Sequence, residues 1–248
     1  MAGLVKQKKY DWKDSNLAFF GSDLERNIKK ESAGTEPAWE GAGQKPGLQI
    51  WRIVNFKVEH WPKEQYGKFF NGDSYIILNT YKDPNGDELL YDVHFWIGAQ
   101  STQDEYGTAA YKTVELDTLL DDKPVQHRQV QGFETDLFKS YFKRIQILHG
   151  GAESGFKAVG PEKYNTRLLE VKIETINGKK KEMVCEKPMK KSSMNNGDVY
   201  IIDKGLHIIM WCGQDASPFE RNKGKEVAMA LDEERNGKAK VEVLDDQD

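Results

Sequence analysis

The sequence holds little of several things that define whole classes of protein. Two cysteines in 248 residues, Cys185 and Cys212, make no disulfide framework, and neither belongs to a Cys-x-x-Cys or Cys/His spacing. A single bridge between them and a pair of reduced, packed thiols both stay open, and the reduced pair is the simpler reading. The five histidines, His60, His94, His127, His149 and His207, are scattered, so zinc chemistry lacks its ligand pattern. No stretch nears the roughly 20 apolar residues that cross a bilayer. Met1–Lys9 turns basic with no apolar segment behind it. These features predict no secretory signal, no transmembrane segment and a cytoplasmic home.

Strong charge of one sign is also missing. The net charge is −4, with 36 Lys and Arg against 40 Asp and Glu, which does not suit a nucleic-acid binder. The balance is uneven, however. Between Lys157 and Lys191 stand ten bases and five acids, a local net of +5, whereas Asp232–Asp248 holds seven acids and three bases. The basic stretch fits an acidic protein or a phosphoinositide surface, or is a solvated face. What the chain does have is ordinary for a globular protein: 31% charged and 11% aromatic residues, in a length that allows one large domain or two of about a hundred residues.

An internal repeat decides between those two options. Asn71-Gly-Asp-Ser-Tyr-Ile-Ile-Leu returns as Asn196-Gly-Asp-Val-Tyr-Ile-Ile-Asp. His94-Phe-Trp-Ile-Gly, ending at Gly98, is answered by Ile209-Met-Trp-Cys-Gly, ending at Gly213. Seven residues past each glycine stands a glutamate, Glu105 and Glu220. Chance does not supply all of these in order. The chain therefore reads as an extension over 1–46 and two homologous units, 47–158 and 159–248, parted near Phe156–Pro161.

In the first unit strands are expected at Leu48–Val54, Ser74–Thr80 and Leu89–Ile97, the last two joined by the hairpin signal Asp83-Pro-Asn-Gly-Asp. A helix over Thr102–Leu120 places Tyr106, Ala109, Leu116 and Leu120 on one face and Ala110, Tyr111 and Val114 on another, so one face can pack while the other waits for a partner. A second helix is expected at Glu134–Lys143. In the second unit strands are expected at Arg167–Ile173, Val199–Asp203, His207–Trp211 and Ala239–Leu244. Its helix runs from the capping box Ser217-Pro-Phe-Glu220 to Asn236-Gly237. The class is α+β, each unit a mixed sheet packed between a long and a short helix. The polar extension, with a weakly amphipathic stretch at Asp14–Lys30, is expected to drape on a neighbour.

Both units set an aspartate directly after a glycine at a strand entry and a glutamate at a helix start. Hard cations such as calcium take about 6–8 oxygens from carboxylates and carbonyls, and Gly72, Asp73 and Glu105 can offer some if the strand and helix ends meet. A plain turn and a plain helix cap are the alternatives. A carboxylate-dependent hydrolase on Asp73 and Glu105 is a third, without a nucleophile–base pair or a phosphate-cradling glycine loop to support it.

Longer stretches carry a family resemblance. Gly47-Leu-Gln-Ile-Trp-Arg, Tyr66-Gly-Lys-Phe-Phe-Asn-Gly-Asp-Ser-Tyr-Ile-Ile-Leu, Gln103-Asp-Glu-Tyr-Gly-Thr-Ala-Ala and Val125-Gln-His-Arg-Gln-Val-Gln-Gly-Phe-Glu closely resemble the first repeat of gelsolin, villin, severin and fragmin. The likeness runs from about Gly47 to Asp246, and Asp14-Ser-Asn-Leu-Ala resembles the severin and fragmin branch. The resemblance implies a non-enzymatic, calcium-regulated protein of the cytoskeleton that binds actin monomers and filaments, severs filaments and caps barbed ends. A monomer binder or capper without severing is the alternative. It implies a calcium site at Gly72, Asp73, Glu105 and the carbonyl of Ala152. A second calcium, shared with actin, would use Asp117 and the carbonyls of Asp122 and Pro124, although position 122 departs from the family's glycine. In the second repeat Gly197, Asp198 and Glu220 match, while a further acidic ligand of the family lies beyond Asp248. The implied actin contacts are Gln103, Asp104 and Tyr111 on the long helix, and Lys179, Lys180 and Arg221 on the second repeat, with an insertion at Ile173–Asn177 expected to shift the lysine pair. The resemblance also implies release by phosphoinositides, although Ile145-Gln-Ile-Leu-His replaces one basic family segment and leaves Lys143 and Arg144. Val199 stands at the family's disulfide partner position, which denies Cys212 that bridge.

Overall fold

A computed structural model describes residues 23–151, 165–235 and 237–245. Helix α1 (Asp23–Ala33) leads through a 3-10 turn at Pro37–Trp39 into β1 (Gly47–Val54), β2 (Lys57–His60), β3 (Lys68–Phe70), β4 (Ser74–Lys82) and β5 (Leu89–Ile97). Then come α2 (Gln103–Leu119), β6 (Val125–Val130), α3 (Asp136–Ser140) and β7 (Arg144–Leu148). The second repeat holds β8 (Arg167–Ile176), β9 (Lys179–Lys187), β10 (Val199–Asp203), β11 (His207–Cys212), α4 (Pro218–Glu233) and β12 (Lys240–Asp245).

The strands form two mixed sheets, ordered β2-β1-β4-β5-β6 and β12-β11-β10-β8-β9-β7-β3. Strand β4 is buried on both faces, which explains its continuous apolar run. Ile76 and Leu78 face a core with Trp39, Trp51, Ala109 and Leu116 under α2, while Tyr75 and Ile77 face a second core. α2 packs as an amphipathic helix, with Glu105, Ala109, Thr113 and Leu116 buried.

Strands β3 and β7, from the first repeat, extend the second repeat's sheet: β3 pairs with β7, and β7 with β9, both in parallel. Alternation then divides their side chains between two cores. Phe69, Ile145, Ile147 and Met183 join the first repeat's second core, whereas Phe70, Leu148 and Val184 join the core beneath α4. Side chains add to the joint: Lys139 pairs with Glu174 at 2.7 Å, Lys68 with Glu234 at 3.1 Å, and Arg144 with Glu182. The sheet thus runs through the repeat boundary without a break.

Several expectations change. The helix expected at Glu134–Lys143 is only Asp136–Ser140, capped by Thr135; beyond it Phe142 turns into the core and the chain enters β7. Tyr106 does not share the buried face of Ala109 and Leu116 but is exposed, because it sits about 60° round the helix from Ala109, at the edge of the buried stripe. α4 ends at Glu233, three residues before the expected stop, with Gly237 in the left-handed region (φ 68°) donating to the Asp232 carbonyl; Asn236 lies outside the described residues. The extension, where described, is part of the first repeat: Ala33 and Trp39 are buried, and α1 lies along α2. Residues 14–22 and the boundary at 156–161 lie outside the described residues. Cys185 and Cys212 are free, and Cys212 stands opposite Val199 across the β10–β11 hairpin.

Candidate cation sites and an exposed helix face

The turn Asn71-Gly72-Asp73 is sewn to two neighbouring loops. Asn71 N–H donates to the Leu148 carbonyl (2.9 Å) and Gly72 N–H to the Gly150 carbonyl (2.8 Å), while Gly98 N–H donates to the Asp73 carbonyl (3.0 Å) and Gln100 N–H to the Asn71 carbonyl (2.8 Å). The second repeat repeats the pattern, with Gly213 N–H on the Asp198 carbonyl (3.1 Å) and Asp215 N–H on the Asn196 carbonyl (2.8 Å). The repeated glycines follow from that approach. A Cβ at Gly98 or Gly213 would lie 2.3 or 2.4 Å from the carbonyl oxygen of Asn71 or Asn196.

Asp73 is fully buried. Its Oδ2 is held by Arg52 at 2.6 Å and by the Tyr75 hydroxyl, which donates at 3.2 Å. Burial, then the neighbouring Asp73 charge, push the Tyr75 phenol far up, so it remains a donor. Oδ1 turns to the other loop, where a Cβ at Gly151 would meet it at 2.7 Å; glycine there leaves the room. Glu105 is brought in by a serine relay. Ser74 Oγ and Ser101 Oγ are hydrogen-bonded at 2.8 Å, Ser101 Oγ donates to Glu105 Oε2 (3.1 Å), and Thr102 N–H donates to the same oxygen (3.0 Å). Thr102 and Glu105 thereby form a capping box that the sequence displays but that only the Ser217–Glu220 pair made obvious. The relay ties Glu105 to Ser74, the neighbour of Asp73, while Gly72 and Asp73 lie against Gly150-Gly151; Ala152 lies outside the described residues.

The second repeat lacks the relay, since Val199 and Ala216 replace the two serines. Asp198 instead accepts from Asn195 Nδ2 (2.7 Å), and Glu220 caps α4 through Ser217 (2.9 Å). Gly197, Asp198 and Glu220 surround the same turn with one fewer tie between strand and helix.

At the far end of α2, Asp117 accepts from Gln126 Nε2 at 2.7 Å through Oδ2, while its Oδ1 is shielded from solvent and accepts no hydrogen bond. Burial raises its carboxyl pKa, the Gln126 bond opposes this, and the Asp122 charge adds to the rise. The helix closes on Asp122 N–H, donated to the Asp117 carbonyl (3.0 Å), with Asp121 and Asp122 both left-handed (φ 64° and 57°). Aspartate tolerates that region, so the loop keeps at position 122 the shape a glycine would give. Pro124 is buried two residues on.

An orphaned, shielded carboxylate oxygen at Asp117 and a glycine-lined carboxylate at Asp73 both suit a hard cation. Among the described residues no three His, Cys, Asp or Glu side chains cluster to hold a metal, so either site would complete its oxygens from backbone carbonyls and water.

Gln103, Asp104 and Tyr111 are exposed on α2, with Tyr106 between them. They line an open depression whose other wall is Phe56. Phe56 sits in the two-residue β1–β2 turn with Asn55, both left-handed (φ 63° and 48°). A phenylalanine there is strained and exposed, a costly arrangement that gathers at functional surfaces; no sequence pattern announced it. Lys179 and Lys180 are exposed at the start of β9, after the tight turn Asn177-Gly178. The insertion at 173–177 is absorbed as extra length of β8, ending at the pair Ile176 and Lys179. Lys180 stacks on Phe219 at 4.5 Å, in the first turn of α4, and Arg221 in the next turn binds Asp245 (2.6 Å) and the Gly213 carbonyl (3.0 Å). The three basic residues are thus gathered on one end of the second repeat.

The fold of two repeated α+β units around paired Gly-Asp turns defines a class, and the family model of the gelsolin repeat matches residues 56–139 and 180–248, over half of the chain. The chain belongs to the gelsolin repeat family. It is 59% identical over 248 residues to Gelsolin-like protein 1 and 53% over 249 residues to Gelsolin-like protein 2, both of Lumbricus terrestris, and 49% over 254 residues to Severin of Echinococcus granulosus. These alignments cover 99%, 100% and 100% of this chain but 66%, 66% and 67% of the relatives, so the chain spans about two thirds of their length. A chain in the crystal structure of the Thorarchaeota 2DGel3/rabbit actin complex aligns over 81% of this chain and 93% of its own, at 26% identity and a TM-score of 0.36. Among the described residues no helix is long and apolar enough to cross a membrane.

Proposed function

We propose that the protein binds actin under calcium control, severing filaments and capping their barbed ends. One observation carries the reading. The helix that presents the exposed face of Gln103, Asp104, Tyr106 and Tyr111 also carries Glu105 in its first turn, linked through Ser101 to Ser74 beside Asp73, and Asp117 in its last. Calcium at either end would fix the helix that meets actin, by tying its ends to the neighbouring turns through shared oxygen ligands. The first repeat then wedges into actin through α2 and Phe56, and the second holds the filament side through Lys179, Lys180 and Arg221. A cytoskeletal, cytoplasmic setting follows from that partner.

Depolymerisation of pyrene-labelled actin, with fragmentation followed by microscopy, tests this. Fragmentation is expected in calcium and absent in chelator, and Asp73→Ala is expected to lose the response. Wild-type melting temperature rises with calcium, since a ligand of the folded state adds about 2.7 kcal/mol at a hundredfold excess over Kd. Capping without fragmentation would leave a capper or monomer binder; no calcium effect on melting would remove the Asp73 site.

Lys179→Glu with Lys180→Glu is expected to slow fragmentation, most at low ionic strength, while monomer affinity stays near wild type. Exposed charge steers encounter with an acidic filament and is screened by salt. Equal fragmentation rates at both salt concentrations would take the lysines out of the mechanism.

A further inference from the structure

The two repeats wire the same tyrosine in opposite ways. In the first, Arg52 stands opposite Tyr75 in the β1–β4 register; the Tyr75 hydroxyl accepts from Phe70 N–H (3.2 Å) and donates to Asp73. In the second, Glu170 stands opposite Tyr200 in the β8–β10 register; the Tyr200 hydroxyl accepts from Asn195 N–H (3.2 Å) and donates to Glu170 (3.1 Å), which pairs with Lys187 (3.0 Å). A cation in one repeat is thus replaced by an anion in the other, at the same place beside the Gly-Asp turn.

We infer that Arg52 is a positioning residue and built-in counter-ion of the first-repeat cation site, holding the Asp73 carboxylate folded and aimed before calcium arrives and weakening calcium binding by its own charge. This rests on the calcium reading of Asp73. A fully buried carboxylate is costly unless paired, and the Arg52 guanidinium supplies the pair at 2.6 Å with little exposure of its own. It is itself fixed, lying over the rings of Trp61 (5.3 Å) and Phe70 (5.4 Å). Arg52 and Tyr75 together hold Oδ2, which turns Oδ1 to the Gly151 side. The same fixed positive charge repels a divalent cation at Asp73. The first-repeat site is therefore preformed at the expense of affinity, while Asp198 in the second repeat works beside an acid.

The experiment uses the full chain, with Arg52→Gln, Arg52→Lys, Asp73→Asn and the double variant Arg52→Gln/Asp73→Asn. Melting is followed in chelator and in calcium, and calcium affinity by calorimetry, with Asp73→Asn as the baseline for other calcium sites. Arg52→Gln is expected to melt lower in chelator, to gain more from calcium than wild type, and to bind it on the order of tenfold more tightly. Should Arg52→Gln be unfolded in chelator, refolding on calcium addition reads the same effect. Arg52→Lys keeps the charge and is expected to hold near wild-type affinity, and the double variant to melt above Arg52→Gln in chelator. Unchanged or weaker calcium binding by Arg52→Gln overturns the proposal, as does an Arg52→Lys variant altered as much as Arg52→Gln. Wild type and Asp73→Asn responding identically to calcium removes the calcium reading itself, and this proposal with it.

Discussion

Tyr111→Asp is expected to abolish binding to monomeric actin, by a hundredfold or more, with no loss of melting temperature. Tyr111 is 66% exposed and Val114 52% exposed, one turn apart on the outward side of α2, while Ala109, Thr113 and Leu116 are buried beneath them. A substitution on that outward side removes no core contact. In a complex that covers the face, however, aspartate would carry an unpaired charge into an apolar contact, at a cost of about 3–5 kcal/mol, which is a factor of about a hundred to several thousand in Kd. Monomer affinity by fluorescence titration, alongside a circular-dichroism melt, checks both halves. A variant that unfolds puts Tyr111 in the core; one that binds normally takes α2 out of the interface.

The largest expected effect on stability lies elsewhere, at Asp203. Its carboxylate is fully buried at the end of β10, where Oδ2 accepts from Arg167 Nε (3.1 Å) and Arg235 Nη2 (2.7 Å) and Oδ1 accepts from Gly205 N–H (3.1 Å). One side chain therefore ties the first residue of β8, the β10–β11 turn and the residues just past α4. Asp203→Ala would leave two guanidinium groups in a largely buried pocket without that acid, at a cost of about 3–5 kcal/mol. For a chain of this size that amounts to roughly 10 °C in melting temperature. Thermal melts of the two proteins at the same calcium concentration check it. A fall of only about a degree would mean that water reaches the pocket and takes over the charge.

Much of the fold was legible because strands and caps write themselves locally. Leu89–Ile97 and Val199–Asp203 were bounded to the residue by their apolar runs and flanking turns, and Ser217-Pro-Phe-Glu220 named the start of α4. Short strands were not. Lys68–Phe70 and Arg144–Leu148 owe their conformation to pairing with each other and with β9, partners that are distant in sequence and leave no periodic signature. The site divides in the same way. Gly72, Asp73 and Glu105 stood out because they recur, and a Ser74–Ser101 relay links Glu105 to the residue after Asp73. Arg52 stood within a quoted stretch yet could not be placed, since only the register of β1 on β4 sets it against Tyr75 and Asp73. Tyr106 was misassigned because it falls near the border between the two faces of α2.

The passage of β3 and β7 into the second sheet separates two units that the repeat pattern makes look identical. Duplication copied a stretch of sequence, but the packed body is larger, since Met183 completes one copy's interior and Phe70 and Leu148 complete the other's. Either copy expressed alone would lose part of its own lining and bare a strand edge that the intact chain keeps paired. In a chain built this way, inheritance and cooperativity draw their borders in different places, and a recombination event that respects the first still cuts through the second.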